Sequence, residues 1–152
     1  MKFLQPLILF VGILLFSACG GPKVVPATPV TKTVPAAQST QELHEMMVLL
    51  AKYKKYRILS DNGSTEMRIK YTRISGKTEQ KITSITYDLT NDANSYTMRY
   101  ADSENFGYKD GQINRTYTRY IDSFDSTLKR MYDDPDYLAR MKMIVNNPDI
   151  QH

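Results

Sequence analysis

A period-two alternation of apolar and polar side chains between residues 67 and 100 is the feature that most constrains the fold. Successive side chains of a strand point to opposite faces, so this alternation predicts strands with one packed face and one wet face. The packed positions of three such strands are Met67, Ile69 and Tyr71, then Ile85, Tyr87 and Leu89, then Tyr96, Met98 and Tyr100. Ile113, Tyr117 and Ile121 are interpreted as a further strand face.

Turn-forming residues separate these runs. Asn-Gly and Asp-Gly supply the positive φ angles that tight hairpins need. The turn segments are Asp61-Asn62-Gly63, Ser75-Gly76-Lys77, Asn91-Asp92-Ala93-Asn94 and Asp110-Gly111. The short connections predict an antiparallel meander of five or six strands.

Helical periodicity flanks the strands on both sides. Ser39 or Thr40 with Glu42 offers an N-cap, and an apolar stripe follows at Leu43, Met46, Met47, Leu50 and Tyr53. After Ile121 a second stripe runs through Phe124, Leu128, Met131 and Tyr132, and Asp134-Pro135 is typical of the start of a third helix. We therefore predict an α+β domain over residues 41–152: an N-terminal amphipathic helix, the meander and two C-terminal helices.

The first residues have the layout of an export signal. Met1 and Lys2 give a positive start, and the ten residues 7–16 are entirely apolar. A helix needs about 20 residues to span a bilayer, so this run is too short to be a membrane span. A charged start, a short apolar run and then small residues indicate a secretory signal peptide.

The end of that signal carries a family motif. The run Leu15-Phe16-Ser17-Ala18-Cys19 resembles the lipobox of bacterial lipoproteins, with Phe16 where that family usually has leucine. The resemblance implies cleavage after residue 18, a diacylglycerol on the Cys19 thiol and a fatty acid such as palmitate on the new amino terminus. An incidental cysteine is the alternative, but Cys19 is the only cysteine and directly follows the apolar run. In a host with two membranes, the small neutral Gly20 implies the outer membrane, on its periplasmic or surface face.

Residues 19–40 are rich in proline, with Pro22, Pro26, Pro29 and Pro35, and contain no acidic residue. Proline interrupts helices and removes a backbone donor from a strand. The lipidated cysteine and this segment together are predicted to form a tether, a semi-rigid spacer between the anchor and the domain.

Residues suited to catalysis or metal binding are sparse. The chain has two histidines, and His44 is interpreted as an exposed side chain of the first helix rather than a catalytic base. Asp133, Asp134 and Asp136 are interpreted as helix capping, and Asp102, Glu104 and Asp110 lack EF-hand spacing. We therefore predict no enzymatic activity, no metal and no cofactor besides the covalent lipid.

Two surface features remain as candidate binding residues. Lys52, Lys54, Lys55 and Arg57 form a basic patch that either meets anionic headgroups or cell-wall polymers, or complements the helix dipole. The tyrosines Tyr100, Tyr117 and Tyr120 either face a ligand or belong to a tyrosine-rich core.

These observations predict an exported, membrane-anchored envelope lipoprotein with a non-enzymatic interaction or structural domain. Its expected partners are the membrane, through the lipid, and another envelope protein or a cell-wall polymer. An aromatic, basic sheet also suits RNA, but an exported protein rarely meets it, so no nucleic-acid partner is expected. The alternative is an apolar-ligand carrier, because the run 52–57 and Tyr108-Lys109-Asp110-Gly111 weakly resemble the periplasmic lipoprotein carriers.

Overall fold

The described residues, 23–76 and 78–147 of a computed structural model, confirm the α+β prediction. The signal peptide 1–18, Cys19 and His152 lie outside these ranges. The strands and helices are β1 (Val24–Pro26), β2 (Val30–Thr33), α1 (Thr40–Tyr53), β3 (Arg57–Asp61), β4 (Glu66–Ser75), β5 (Lys81–Asn91), β6 (Ser95–Glu104), β7 (Gln112–Asn114), α2 (Thr116–Asp133) and α3 (Pro135–Asn146).

Five strands form one antiparallel sheet in the order β2-β6-β5-β4-β3. Strands β3 to β6 are the predicted meander, and β4 pairs with β5 over ten residue pairs, from Glu66 opposite Thr90 to Ser75 opposite Lys81. The turn into β5 requires glycine at Gly76, where φ is 101° and a Cβ would lie 2.1 Å from the Glu79 carbonyl oxygen. The segments at residues 61–63 and 91–94 likewise lie between β3 and β4 and between β5 and β6, as predicted.

The proline-rich segment differs from its prediction. Val30–Thr33 adds the fifth strand to the sheet, beside β6, and Val24–Pro26 pairs with Gln112–Asn114 in a separate two-stranded sheet. Proline is tolerated because these strands lie at sheet edges, where one side of the backbone needs no partner. The folded domain therefore includes β1 and β2, ahead of residue 41, and the spacer prediction is wrong for these strands.

The predicted strand face through Tyr117 and Ile121 is also wrong. Only Ile113 lies in a strand, β7, while α2 begins at Thr116 and carries both other residues as buried side chains. Positions four apart share one face of a helix as well as one face of a strand. The helical packing of α2 resolves this ambiguity.

The caps of α1 and α3 follow local rules and match the predictions. The Ser39 hydroxyl accepts a hydrogen bond from the Glu42 amide at 3.1 Å. The Asp134 carboxylate accepts one from the Tyr137 amide at 2.8 Å, ahead of Pro135 at the start of α3. Within the described ranges, the structure contains no helix with the length and apolar character needed to cross a bilayer.

The hydrophobic core lies between one face of the sheet, its inner face, and the helices α1 and α2. Phe124 of α2 is fully buried and its ring lies 6.1 Å from that of Tyr56 and 6.0 Å from that of Tyr96. Tyr117 stacks on Tyr87 at 5.6 Å. Helix α3 packs on α1 and α2 and buries Met141. Tyrosine rings therefore fill much of the layer that phenylalanine fills in other cores.

Tyr132 gives a test of this packing, since its hydroxyl is buried without a hydrogen-bond partner among the described residues. Burial and the Glu42 charge raise the pKa of Tyr132 to about 12. We expect Tyr132→Phe to leave the free energy of unfolding unchanged or to raise it by about 1 kcal/mol, because it removes an unsatisfied polar group. Urea unfolding measures this.

The matched control is Tyr96→Phe. The Tyr96 hydroxyl donates to Asp125 Oδ1 at 3.2 Å, so its removal costs about 1–2 kcal/mol. A larger loss in Tyr132→Phe than in Tyr96→Phe contradicts this account of the core.

Candidate functional site

The face of the sheet opposite the core, called here the outer face, carries mostly polar side chains. Register and alternation place on it Thr31, Thr33, Arg57, Ser60, Arg68, Lys70, Thr72, Ser84, Thr86, Asp88, Thr90, Thr97, Arg99, Asp102 and Glu104. Most are exposed or half-buried, and only Ser84 and Thr86 at its centre are buried. The outer face is therefore a broad hydrogen-bonding surface and a candidate interface.

An ion-pair cluster stands on the outer face. Asp88 of β5 lies between Arg68 of β4 and Arg99 of β6, because both arginines are its cross-strand partners. The Nη2 atom of Arg68 lies 3.0 Å from Asp88 Oδ2, and that of Arg99 lies 3.3 Å from the same oxygen. The hydrogen bond from Arg68, with that from Arg99 and both positive charges, outweighs burial and holds the pKa of Asp88 below its usual value.

This cluster, which we call the Arg-Asp-Arg cluster, borders an open cleft of about 440 Å³. The other polar residues that line the cleft are Ser60, Asp61, Asn62, Glu66 and Thr90. A guanidinium has five donors in a planar fork, so arginines already bound to Asp88 retain donors for a hydroxyl or carbonyl oxygen of a partner. The cleft suits a polar, hydrogen-bonding ligand.

Sequence reasoning missed this cluster. Arg68, Asp88 and Arg99 each occupy the polar phase of an alternating strand, but their partnership depends on register. The β5–β6 pairing changes register between Thr86 and Tyr87, and this irregularity lies just beyond the pairing of Asp88 with Arg99. The pairing of Asp88 with Arg99 follows from the β5–β6 turn, because the register that sets Thr90 opposite Thr97 also sets Asp88 opposite Arg99.

His44 is buried, so its interpretation as an exposed side chain is wrong. Its Nε2 lies 2.7 Å from Asp61 Oδ1, and its Nδ1 lies 3.2 Å from Asn91 Oδ1. The Asn91 side-chain nitrogen donates to the Thr40 carbonyl at 2.9 Å, so the side-chain oxygen of Asn91 faces the His44 ring. His44 thus ties α1 to β3 and to the β5–β6 turn. Both ring nitrogens of His44 are therefore engaged in hydrogen bonds within the fold.

This tie predicts an acid dependence of stability. Burial favours a higher pKa for Asp61. Hydrogen bonds from the Gly63 amide and His44, together with the charge of Lys52, outweigh burial and hold the pKa of Asp61 below its usual value. A lowered pKa stabilises the fold above the unfolded value of about 3.9, and this contribution is lost as the pH falls through the folded value.

We therefore expect Asp61→Asn to lower the free energy of unfolding by about 1–2 kcal/mol at pH 7. The difference in unfolding free energy between this variant and the unaltered protein, which we call the gap, should narrow at pH 3. Urea unfolding at both pH values measures it. Glu45→Gln, at an exposed position of α1, is the control and should leave a small gap that does not vary with pH. A gap for Asp61→Asn that widens in acid contradicts the role of this carboxylate.

The structure divides the predicted basic patch. Lys54 is half-buried, its Nζ donates to the Ser123 hydroxyl at 2.9 Å, and burial lowers the pKa of Lys54. Lys52 and Lys55 are exposed at the end of α1, while Arg57 lies on the outer face. Lys54 therefore serves the packing of α1 against α2, Lys52 and Lys55 remain together at the end of α1, and Arg57 lies apart from them on the sheet.

The three candidate tyrosines also separate. Tyr117 is fully buried and donates to the Thr28 carbonyl at 2.9 Å, so it belongs to the core. Tyr100 is half-buried and stacks on Tyr108 at 4.5 Å. Tyr120 is half-buried and lines an open cleft of about 470 Å³ together with Arg73 and Phe106. Of the three, only Tyr120 lines a cleft described here.

The acidic residues at 133–136 and at 102–110 do not form a metal site in the described part of the chain. Asp134 caps α3, and across the described ranges no three His, Cys, Asp or Glu side chains group closely enough to hold a metal ion.

The carrier alternative requires an apolar cavity between sheet and helices. There, Ile69, Tyr87 and Met98 are fully buried against the helices, which gives that alternative no support.

Comparisons with known proteins do not identify a family for this chain. No family model and no curated protein matches the sequence. Among solved structures, the vertebrate conserved region of human METTL16 is similar at a TM-score of 0.39 and 10% identity, covering 69% of this chain and 98% of that one. A likeness at this level supports no inference about function.

Proposed function

We propose that this chain is a lipid-anchored envelope protein whose domain makes non-enzymatic contacts with a polar partner through the outer face. The observation that carries the proposal is the lipobox-like run ending at Cys19, the only cysteine, directly after an apolar run too short to span a bilayer. In the host envelope, this anchor holds the protein at a membrane, the outer one where there are two.

The Arg-Asp-Arg cluster and its cleft supply the contact surface. Arg68 and Arg99 are about half exposed or more, with side-chain exposures of 49% and 62%, although each binds Asp88. Held in place by Asp88, they present donors at fixed positions, which reduces the entropy cost of binding a carbonyl or hydroxyl oxygen. An envelope protein or a cell-wall polymer with hydroxyls and amides has the chemistry that this cleft recognises, because Asp61, Glu66 and Asp88 outnumber the two arginines and disfavour an anion.

Photocrosslinking in cells tests the contact surface. A photoreactive amino acid at Thr90, which is exposed and lines the cleft, should yield a defined crosslinked species. The matched control is the same photoreactive amino acid at Ser126, which is exposed on α2 and should yield none. Adding Arg99→Ala should reduce the Thr90 crosslink about tenfold, because the partner loses charge-assisted hydrogen bonds.

A second addition, Lys142→Ala on α3, should leave the Thr90 crosslink unchanged because Lys142 lines a different cleft. Equal crosslinking from Thr90 and Ser126, or no change with Arg99→Ala, contradicts the assignment of the outer face.

A further inference from the structure

The anchor attaches close to one end of the domain. From Cys19 to Lys23, the first described residue, the backbone spans four residue steps, at most about 14 Å. Lys23 is fixed to the domain, because its carbonyl accepts a hydrogen bond from the Arg115 amide at 3.1 Å, at the start of α2. At this end of the molecule β1 begins, β7 ends and α2 begins, and we call it the anchor pole.

The free end of the β4–β5 hairpin lies at the same pole. One cleft of about 470 Å³ is lined both by Arg73, Ser75 and Thr83 of the hairpin and by Asn114 and Thr116 at the β7–α2 junction. The Asn105 side chain, in the loop before β7, donates to the Ile82 carbonyl at 2.8 Å. The hairpin end therefore lies close to the β7–α2 junction, beside Lys23 where the anchor segment joins the domain.

The hairpin end exposes an apolar pair. Ile74 and Ile82 are direct cross-strand partners, 60% and 44% exposed. They lie on the outer face, where the other strand positions are mostly polar, so a pair of isoleucines there breaks the pattern of a solvated sheet face. Val24, the cross-strand partner of Asn114, is also exposed beside the junction, and Tyr108 is exposed in the loop before β7. Four of the six large exposed apolar side chains in the described residues thus belong to elements of the anchor pole.

Charge at this pole favours anionic headgroups. Within residues 23–24, 73–83 and 104–119, which form this pole, the exposed cations in the described part of the chain are Lys23, Arg73, Lys81, Lys109, Arg115 and Arg119, against the exposed acids Glu79, Glu104 and Asp110. Apolar side chains rimmed by an excess of lysine and arginine are the combination that interfacial proteins present to an anionic bilayer.

We propose, resting on the lipid anchor of the proposed function, that the anchor pole docks on the bilayer that holds the anchor, with Ile74 and Ile82 entering the interface. The other end of β4 then points away from the membrane. Arg68 lies six residues from Ile74 along one strand, about 20 Å at roughly 3.3 Å per residue. Docking therefore holds the Arg-Asp-Arg cluster off the bilayer, where a partner can reach it.

A tryptophan reporter tests the docking, because the chain contains no tryptophan. Full-length lipidated Ile74→Trp is reconstituted in vesicles of phosphatidylcholine with one quarter phosphatidylglycerol, with and without brominated acyl chains. The expected result is quenching of the introduced tryptophan's fluorescence by the brominated lipid. Met143→Trp is the control: Met143 is 52% exposed on α3, where the neighbouring Lys142 lines a groove with Glu42 at the start of α1. Equal quenching at both positions, or none at residue 74, overturns the proposal.

A second pair of variants holds the contribution of the added tryptophan constant, because both members carry it. In the Ile74→Trp background, Ile82→Ser should reduce quenching about threefold, because a docking side chain becomes polar. Leu59→Ser is the matched control, since Leu59 on β3 has the same 44% exposure and should leave quenching unchanged. Equal effects of the two serines contradict docking through the hairpin.

Failure of the anchor can be separated from failure of docking. Intact mass first shows whether Cys19 carries acyl chains. Without them the proposed function fails, but the Cys19 thiol, the only one in the chain, can be coupled to a maleimide lipid in the same vesicles. Quenching at residue 74 in that coupled protein supports the docking surface, and its absence overturns the docking surface independently of native lipidation.

Discussion

Replacing Cys19 with alanine is expected to abolish fatty-acid incorporation and to release the protein from membranes into the aqueous fraction. Each buried methylene contributes about 0.8 kcal/mol to membrane binding, so two or three acyl chains hold a protein firmly and their loss removes most of the affinity. The docking surface alone, with a few apolar side chains, gives only weak, reversible association. Metabolic labelling with an alkyne analogue of palmitate, followed by membrane fractionation in alkaline carbonate, measures both effects.

The matched control is Ser17→Ala, which keeps a small residue two positions before the cysteine. It should retain label and membrane association at the level of the unaltered protein. Retention of the lipid label by Cys19→Ala contradicts lipidation at this residue.

The second large effect is expected in the core, where Phe124→Ala should lower the free energy of unfolding by about 3–5 kcal/mol. Phe124 is fully buried and meets Tyr56 and Tyr96 from α2, so its loss leaves a cavity bounded by tyrosines whose rings cannot all move inward. Domains of this size are stable by about 5–15 kcal/mol, so the variant loses a large share of the total.

Urea unfolding followed by circular dichroism tests this prediction, with Ser126→Ala, at an exposed position of the same helix, as the control. The control should change stability by less than about 0.5 kcal/mol. A loss below about 1 kcal/mol for Phe124→Ala contradicts a close-packed layer between α2 and the sheet.

The sequence predicted the elements whose signals are local. Ser39, Asp134 and Pro135 mark helix starts because capping depends on residues three or four apart. Gly76 marks a turn because only glycine fits its backbone. The class, the meander and the three helices follow from such signals together with the two periodicities.

The elements that the sequence misjudged depend on distant partners. Nothing between Pro29 and Pro35 distinguishes a spacer from β2, whose partner strand β6 lies more than sixty residues away. His44 is buried because Asp61 and Asn91, from the ends of other strands, meet it there. The Arg-Asp-Arg cluster likewise exists only through the register of three strands.

The central claim, that Cys19 is the lipid attachment point of an envelope protein, is tested most directly by mass spectrometry of the amino-terminal peptide from native membranes. The account predicts a peptide that begins at Cys19 and carries a diacylglycerol on sulfur and a fatty acid on its amino group. A peptide in which an unmodified Cys19 is still joined to Ala18, or a mature chain that begins elsewhere, would contradict it.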